Sequence, residues 1–449
     1  QKAERAARKR DHRKVDDDDD ASAVESEKEG DLDEILAEVA KREAARTEIT
    51  VTPCDDLNVI FGRCNCTLTA CGKELFVFGG ERRRGDACVV HGELYRMRKE
   101  RWARIASPKS PPPRCAHVLV EVSGKLLLFG GEFANLTQFK HFNDLWSFDP
   151  KTLAWEERRG ETSSSKKPSP RSGHRARSWR GQLLMFGGFL KTSADAGRWH
   201  NDLWVYAPAR NEWTEIETAS VPGAVKPPPR SACVVAVADD KFLVWGGYSE
   251  TKCDNALKAK GKVHVDAWQL DLKNLTNGRW DRVNIKGEAP SKRAGCSAAQ
   301  RGDAVYVFGG VFDDDSDASS KAIDDSTFYN DLFVLDAATL RWSSSLSSRR
   351  LLDIDDDRGE DDRRAPAPRI GAAVAVEGKS LYVAGGILEV RGDRERTFDD
   401  LWATDVSKKK APWTCVVPPS KRLEEDFEQQ DDDDDDEKEE EEGEEDSSS

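Results

Sequence analysis

LLLFGG, at residues 126–131, is one of six apolar runs that end in Gly-Gly. The others are LFVFGG (75–80), LLMFGG (183–188), FLVWGG (242–247), VYVFGG (305–310) and LYVAGG (381–386). An arginine stands 16 residues before the first glycine of every pair, and these six motif arginines are Arg63, Arg114, Arg171, Arg230, Arg293 and Arg369. A constant offset in six copies indicates a structural repeat, which decides the fold before any local pattern does.

Each copy predicts a sheet of four short strands. The residues after the motif arginine are mostly apolar up to a turn, which indicates a hairpin whose second strand ends at the glycine pair. The pair supplies positive φ angles and a place without side chains where the chain passes a neighbour. The third strand begins with Asp-Leu-Trp or a variant, and the fourth carries a tryptophan that is expected to cover the gap to the next unit. Six such sheets, repeated radially, predict an all-β fold, a six-bladed β-propeller.

The order arginine, Gly-Gly, aromatic residue and tryptophan, over about residues 50–417, resembles the kelch motif. Within kelch proteins, four segments are similar to the kelch domain-containing protein 4 family: GDLDEILAEVAKREA (30–44), GEFANLTQFKHFNDLW (131–146), RSGHRARSWRGQLLMFGGF (171–189) and SETKCDNALKAKGKVHVDAW (249–268). In kelch proteins that bind acidic peptides, arginines at the motif position line the pocket. The resemblance implies the same role for the six motif arginines.

Some copies depart from the repeat at positions that bear on closure of the ring. Blade one has Gly-Glu-Leu-Tyr in place of Asp-Leu-aromatic, blade four has Ala267 in place of leucine, and blade six has Ala384 before its glycine pair. The fourth strand of blade six is predicted to come either from residues 413–417 or from residues 49–52. One of these two segments is expected to close the ring.

The net charge of −15 is distributed unevenly along the 449 residues. Residues 424–446 carry −17 and residues 1–49 carry −5, which leaves +7 for residues 50–423. The body of the chain is therefore mildly basic, and the ends carry the acidity. An acidic composition alone would favour basic partners, whereas the basic body favours acidic ones.

The charge pattern divides the chain into three parts. Residues 1–48 form a charged extension with a short helix at about 31–45, whose single apolar face consists of Leu32, Ile35, Leu36 and Val39. Residues 49–420 form the propeller, and residues 421–449 form an acidic tail. The tail and two acidic insertions, 313–325 and 343–364, are predicted to be disordered because they contain few apolar residues.

Composition also limits the class of protein. No apolar run reaches the ~18 residues of a membrane-spanning helix, and the first residues are charged rather than apolar, unlike a secretory signal. The ten cysteines show no paired spacing, which favours a reducing compartment. We therefore expect a monomeric protein of the cytoplasm and/or nucleus that does not bind membranes.

Catalysis is a possibility for this fold, because some kelch propellers are copper oxidases whose site combines tyrosine, cysteine and two histidines. Four of the six tyrosines lie in repeat strands, and the sequence has no P-loop, GxSxG or HExxH motif. We expect no enzymatic activity, no catalytic residue and no cofactor.

One set of soft side chains recurs at positions where a metal site is conceivable. Three residues past the motif arginines, on the predicted innermost strands, lie Cys66, His117, His174, Cys233, Cys296 and Ala372. Thiolate and imidazole groups bind zinc or copper. Opposite walls of a propeller channel are too far apart for ligand bonds of ~2.0–2.3 Å. We therefore predict no metal site, and expect these residues to fill space along the channel.

The motif arginines are the predicted partner-binding residues, since an arginine fork grips a carboxylate or phosphate with two hydrogen bonds. Phe133, Phe189 and Tyr248, with Phe312, are expected to surround the motif arginines at the same end of the channel. Lys258 and Lys260 are expected to extend the positive charge of this surface. The alternative is that acidic neighbours occupy several arginines, with Glu81, Glu132, Asp144, Asp202, Asp331 and Asp400 as candidates. We expect about half of the arginines to stay available.

These observations predict a non-enzymatic scaffold that binds a protein partner, with an acidic or phosphorylated segment, through the arginine-bearing face. The acidic tail suggests two alternatives: it folds back over that face, or it acts as a chaperone or adaptor for basic clients. A third alternative is a substrate receptor of a ubiquitin ligase, although no clear leucine-rich adaptor-binding box lies outside the blades. Nucleic acid is not favoured, because the tail would compete with phosphate.

Overall fold

The computed structural model describes residues 48–420 apart from 85–86, 136–138, 160–165, 194–195, 218–224, 252–259, 274, 276–277, 313–325, 344–363, 390–394 and 409–410. The predicted N-terminal helix and acidic tail lie outside the described residues. So do the first acidic insertion and all but the end residues of the second.

The described chain forms six antiparallel blades of four strands each, with a fifth strand added at the outer edge of blade one, which confirms the predicted six-bladed propeller. Blades one and two consist of Thr67–Cys71, Glu74–Phe78, Leu94–Arg98 and Arg101–Ala106, then Val118–Val122, Lys125–Phe129, Leu145–Asp149 and Ala154–Glu157. Blades three and four consist of Arg175–Trp179, Gln182–Ser193, Ala196–Ala207 and Glu212–Glu215, then Val234–Ala238, Lys241–Trp245, Ala267–Asp271 and Trp280–Val283. Blades five and six consist of Ser297–Arg301, Ala304–Phe308, Leu332–Asp336 and Arg341–Ser343, then Ala373–Glu377, Ser380–Ala384, Leu401–Asp405 and Trp413–Val417.

The first strand of each blade lies innermost, since the first strands of neighbouring blades contact one another around the whole ring. Beyond each glycine pair the chain extends a hairpin before it returns in the third strand. In blade three the second and third strands themselves continue into this hairpin. In the other five blades the hairpin consists of two separate strands, namely Glu81–Arg84 with Ala87–Val90, Glu132–Ala134 with Phe139–His141, Tyr248–Thr251 with Lys260–Val263, Val311–Phe312 with Thr327–Phe328, and Ile387–Glu389 with Glu395–Thr397. All six project from the same end of the disc, which we call the hairpin face; the turns between first and second strands lie on the opposite face.

The glycine pairs have the backbone geometry that the sequence predicted. All twelve glycines have positive φ. A Cβ on Gly130 would lie 2.8 Å from the carbonyl oxygen of Arg171, and one on Gly131 would lie 2.7 Å from that of Cys115. In every blade except the fourth, a Cβ on the first glycine of the pair would lie within 3 Å of the carbonyl oxygen of the next blade's motif arginine, so two blades approach too closely there for a side chain.

The closing tryptophans join neighbouring blades, as predicted. Each contacts the aromatic residue that precedes the glycine pair of the previous blade, with ring centroids 4.9–6.0 Å apart; the pairs are Trp155 with Phe78, Trp213 with Phe129, Trp280 with Phe186, Trp342 with Trp245, and Trp413 with Phe308. These contacts repeat five times around the ring, so they form the main apolar joint between blades.

The sixth joint, between blades six and one, uses a different residue. Ala384 replaces the aromatic residue before the sixth glycine pair, and Phe61, from the short helix Asn58–Phe61, packs beside it. The Phe61 ring lies 5.3 Å from that of the closing Trp102. A small residue on blade six therefore leaves room for an aromatic residue that is supplied from before blade one.

Of the two segments that were candidates for closing the ring, Trp413–Val417 forms the fourth strand of blade six. Thr50–Pro53 instead pairs with Arg101–Ala106 as a fifth, outer strand of blade one. Blade six is thus complete without the earlier segment. Polar bonds hold this joint as well, because the Asn58 side-chain amide donates to the carbonyls of Asp399 and Pro418 at 3.1 and 2.9 Å.

Candidate functional site

The six motif arginines lie at the hairpin-face end of their blades, where the sequence placed them, but they are at most 4% exposed. Arg171 shows the usual arrangement. Its Nη1 donates to the carbonyl of Gly187 at 3.0 Å, its Nε donates to the carbonyl of Ser169 at 3.0 Å, and its fork holds Asp202 at 2.7 and 2.9 Å. The arginine thus ties the first strand of a blade to the end of the second and to the start of the third.

The same set of bonds recurs in blades two, four, five and six. The partner carboxylates there are those of Asp144, Asp266, Asp331 and Asp400. A tryptophan two residues after the aspartate donates its Nε1 to the same carboxylate in four blades, through Trp146, Trp204, Trp268 and Trp402. Residues two apart on a strand share a face, so Asp-Leu-Trp places the tryptophan N–H beside the carboxylate that the arginine also holds.

The carboxylate charge survives burial because of these donors. Burial alone would raise the pKa of Asp266, but hydrogen bonds from Arg230 and Trp268 lower it to about 2. The pKa values of Asp144 and Asp202 are lowered in the same way against the effect of burial. The blades therefore contain ionised pairs at neutral pH.

Blade one lacks the arginine–aspartate pair of the other five blades, as its Gly-Glu-Leu-Tyr sequence indicated. Arg63 has Glu93 in place of the aspartate, with Nη1 3.5 Å from its carboxylate, and its Nη2 donates to the carbonyl of Val59 at 2.9 Å. The Nε of Arg63 is buried and has no hydrogen-bond partner among the described residues. The longer glutamate holds this arginine less completely than the aspartates hold theirs.

The expectation that about half of the motif arginines stay available was wrong for this structure. All six are buried and bonded to a carboxylate and to carbonyls, so reaching a partner would require breaking a buried ion pair. Of the candidate acidic neighbours, Asp144, Asp202, Asp331 and Asp400 do bind the arginines. Glu81 instead accepts from Asn65 at 2.8 Å, and Glu132 lies 3.7 Å from His141.

The cysteine and histidine side chains three residues past the motif arginines lie between the innermost strands. His117 contacts Thr67 at 3.1 Å through Nε2, and His174 contacts the carbonyl of Phe129 at 3.2 Å. Burial, then the charge of Arg114, lowers the pKa of His117 to about 3. Within the described residues no three His, Cys, Asp or Glu side chains are grouped to hold a metal ion.

A row of aromatic side chains crosses the hairpin face from blade two to blade four. It consists of Phe139, His141, Phe189, Trp199 and Tyr248, and we call it the aromatic rim. Successive ring centroids are 4.7, 5.9, 4.7 and 6.3 Å apart. Phe139 is 37% exposed, Phe189, Trp199 and Tyr248 are half-buried, and the His141 side chain is buried.

Hydrogen bonds between hairpins fix the rim. The Lys191 backbone N–H of blade three donates to His141 Nε2 of blade two at 2.8 Å, and Trp199 Nε1 donates to Ser231 Oγ of blade four at 3.2 Å. Burial, followed by the charges of His200 and Lys191, lowers the pKa of His141 to about 4. The His141 ring is therefore neutral at physiological pH and able to accept, so the rim keeps its geometry there.

Basic side chains surround the aromatic rim. The described parts of the three hairpins carry two glutamates, Glu132 and Glu250, and five basic residues, namely Lys140, Lys191, Arg198, Lys260 and Lys262. The ammonium group of Lys191 lies 5.1 Å from the centre of the Phe139 ring. Arg198, Lys260 and Lys262 are exposed. This part of the face combines apolar area with an excess of positive charge.

The structure brings together only some of the aromatic and lysine residues that were predicted to bind the partner. Phe189 and Tyr248 belong to the rim, and Lys260 lies beside it, whereas Phe133 packs against Phe142 and Phe312 lies 4.8 Å from the ammonium of Lys292. Lys258 lies outside the described residues. Sequence reasoning missed Trp199, although it is one of three tryptophans outside the two repeated tryptophan positions, and that was the available signal.

The model of the KLHDC2/KLHL20/DRC7 Kelch-repeats domain matches residues 65–310 and, in a second match, 220–353. The chain belongs to this kelch-repeat family. The narrower similarity to the kelch domain-containing protein 4 family stays a prediction.

Curated relatives share about a quarter of their aligned residues with this kelch chain. It is 26% identical over 349 residues to the Leucine-zipper-like transcriptional regulator 1 homolog of Drosophila melanogaster, covering 74% of this chain and 31% of the relative. It is 26% identical over 359 residues to Host cell factor 1 of Homo sapiens, covering 76% and 16%. It is 25% identical over 288 residues to Acyl-CoA-binding domain-containing protein 4 of Arabidopsis thaliana, covering 62% and 36%. The chain thus matches only a minor part of each relative's length.

Among solved structures, the structure of YjhT superimposes with a TM-score of 0.51 at 18% identity, covering 78% of this chain and 97% of that one. This likeness supports the fold alone. No helix in the described part of the chain has the length and apolar character that crossing a membrane requires.

Proposed function

We propose that this kelch propeller is a non-enzymatic interaction module that binds a protein segment on the hairpin face of blades two to four. The observation that carries the proposal is the aromatic rim, a contiguous set of rings held rigidly between three hairpins. Rigid aromatic side chains contribute most of the energy at many protein interfaces because they bury large areas at a low entropic cost.

The charge around the rim supports an acidic or phosphorylated partner segment. Five basic residues outnumber two glutamates on the described hairpins, and three of the five are exposed. Such a surface speeds encounter with anionic segments and disfavours basic ones. The motif arginines contribute indirectly, since their ion pairs hold the strands from which the hairpins project.

The remaining features of the proposal are supported by the sequence. The four segments similar to the kelch domain-containing protein 4 family favour membership of that subgroup. A reducing compartment, the cytoplasm and/or nucleus, is supported by the cysteine spacing. We also propose that the chain acts as a monomer and does not bind nucleic acid, and the competing charge of the tail supports the second of these points.

Two tryptophans of blade three provide a matched test. Trp199 and Trp179 are both half-buried and both donate a hydrogen bond through Nε1, to Ser231 and Asp240, but they lie on opposite faces. We expect Trp179→Ala to capture the same proteins as the wild-type chain and Trp199→Ala to lose them. Mass spectrometry quantifies the captured proteins. Equal recovery by Trp199→Ala, with its fold verified by circular dichroism, would refute the proposed face.

A second pair of variants tests the charge. Lys260→Glu/Lys262→Glu reverses two exposed charges next to the rim, and Lys125→Glu/Lys241→Glu reverses two on the opposite face. We expect only the first variant to lower the affinity for a captured partner, by about tenfold or more. This loss of affinity should become smaller as the salt concentration is raised. An unaffected affinity would mean that the partner is not recognised through its negative charge.

A further inference from the structure

The innermost strand of blade three carries two charges at positions that are uncharged in the other blades. Arg175 and Arg177 are two residues apart on this strand, so their side chains leave it on the same side. The equivalent pairs are Thr67 and Thr69, Val118 and Val120, Val234 and Ala236, Ser297 and Ala299, and Ala373 and Ala375. The two arginines are therefore not part of the repeat.

Neither arginine has a carboxylate partner in the described part of the chain. Among the described residues, Arg175 donates only through Nη1, to the carbonyls of Gly173 at 3.4 Å and His174 at 3.1 Å. Arg177 donates to the carbonyls of Ala176 at 3.0 Å and Ala298 at 3.4 Å, and its Nε is buried without a partner. This differs from the six motif arginines, each of which lies against a carboxylate.

The bond to Ala298 places the Arg177 guanidinium in the central channel. Ala298 belongs to the innermost strand of blade five, so the side chain extends past blade four to reach it. Burial and then the charge of Arg175 lower the pKa of Arg177 to about 10, so it stays protonated at neutral pH.

Two neighbouring, half-buried cations with no carboxylate partner in the described part of the chain are unfavourable, because partial burial removes hydration and like charges repel. A bound anion would remove both penalties at once. The donors without a hydrogen bond among the described residues are suited to one, and they are Nε and Nη2 of Arg175 and Nε of Arg177. An arginine fork matches the oxygen spacing of phosphate and related oxyanions.

We propose that Arg175 and Arg177 form a binding site for one small oxyanion, such as inorganic phosphate, in the central channel. The site is separate from the aromatic rim, because it lies on the innermost strands and not on the hairpins. The other explanation is that Arg177 braces blade three against blade five through the Ala298 carbonyl and needs no ligand. The two explanations predict different responses to added phosphate.

The test is calorimetric titration of inorganic phosphate into the full chain at constant ionic strength, with sodium chloride as the balancing salt. Arg177→Met and Arg175→Met remove one charge each while keeping an extended side chain. Arg210→Met removes one charge from a guanidinium whose side chain is 64% exposed, and serves as the control. We expect one phosphate per chain, with affinity weakened about tenfold or more in the first two variants and unchanged in the third.

Two results would overturn the proposal. One is that the wild-type chain binds no phosphate at millimolar concentrations. The other is that all variants bind it equally, which would show an adventitious ion only. If Arg177→Met fails to fold, Arg175→Met decides the matter, because the hydrogen bonds of that side chain within the described residues go only to carbonyls of the segment just before its strand.

Discussion

At the scale of single residues, the motif arginine acts as a clamp between three strands of one blade. In blades two to six it combines a carboxylate, the carbonyl of the first glycine of the pair and a carbonyl two residues upstream, as Arg114 does. Only a planar fork with five donors can satisfy all three directions. A residue that looks like a binding group in sequence is therefore needed for the blade itself.

Replacing this clamp by lysine should cost stability although the charge is kept. We expect Arg230→Lys to lower the free energy of unfolding by about 2–3 kcal/mol, because the ammonium loses the bidentate contact with Asp266 and the bond to Pro228. Urea unfolding measures the change. Arg210→Lys, at an exposed arginine, should stay within about 0.5 kcal/mol of wild type; a similar small change for Arg230→Lys would contradict the clamp.

The enclosed histidines make stability depend on pH. His117 has its pKa lowered to about 3 by burial and then by Arg114, whereas the unfolded chain takes up the proton near pH 6.5. The unfolded state therefore binds more protons between pH 6.5 and 3, and stability falls as pH is lowered through this window. From pH 7 to pH 5 this single group accounts for about 2 kcal/mol. His117→Gln should reduce the slope in chemical denaturation at these two pH values, and an unchanged slope would exclude this source.

At the scale of elements, the glycine pair determines how closely two blades approach. A positive φ alone does not explain it, since turns on the opposite face also have positive φ but face open space. Gly124 has φ +82°, and a Cβ added to it would meet no atom within 4 Å, whereas Gly130 has φ +65° and a Cβ there would lie 2.8 Å from the Arg171 carbonyl oxygen. The pair is therefore constrained by its neighbour as well as by its own backbone.

These two glycines allow the two effects to be separated. Gly124→Ala should cost about 1–2 kcal/mol, which is the backbone penalty alone. Gly130→Ala should cost more, by about 2 kcal/mol, because the added methyl group overlaps a backbone atom that cannot rotate away. Thermal and urea unfolding of both variants gives the comparison. Equal losses would show that the contact between blades is not tight at this position.

At the scale of the whole molecule, the ring closes through an exchange of one aromatic residue. Phe61 occupies the place next to Ala384 that an aromatic residue of the blade itself occupies in the other five joints. We expect Phe61→Ala to destabilise the propeller by about 3–5 kcal/mol. Ala384→Phe alone should also destabilise it, by about 1–3 kcal/mol, because two rings then compete for one space.

The double variant Phe61→Ala/Ala384→Phe tests the exchange. It restores the arrangement of the other joints, so it should be more stable than Phe61→Ala, and the two single effects should not add. Urea unfolding of the four proteins completes the cycle. Additive losses would show that the two residues do not share one space.

The sequence was sufficient for the number of blades, the strand order and the placement of arginines and glycines, because each depends on a residue that recurs at a constant offset. The sequence did not show whether the motif arginines are free to bind a partner. Asp-Leu-Trp also recurs, but only the register of the third strand shows that its aspartate reaches the fork. The aromatic rim was missed in part for a similar reason. Trp199 faces Phe189 through the register of the blade-three hairpin, and His141 of blade two meets Phe189 only because the two hairpins lie close together.

Photo-crosslinking tests most directly whether the partner binds the hairpin face. A p-benzoylphenylalanine is placed at the position of Phe139 on the hairpin face or of Lys125 on the opposite face, both in blade two and both exposed. Partners captured by the wild-type chain should crosslink from position 139 and not from position 125, and the Trp199→Ala change should abolish the product. Crosslinks from position 125 alone would contradict the account.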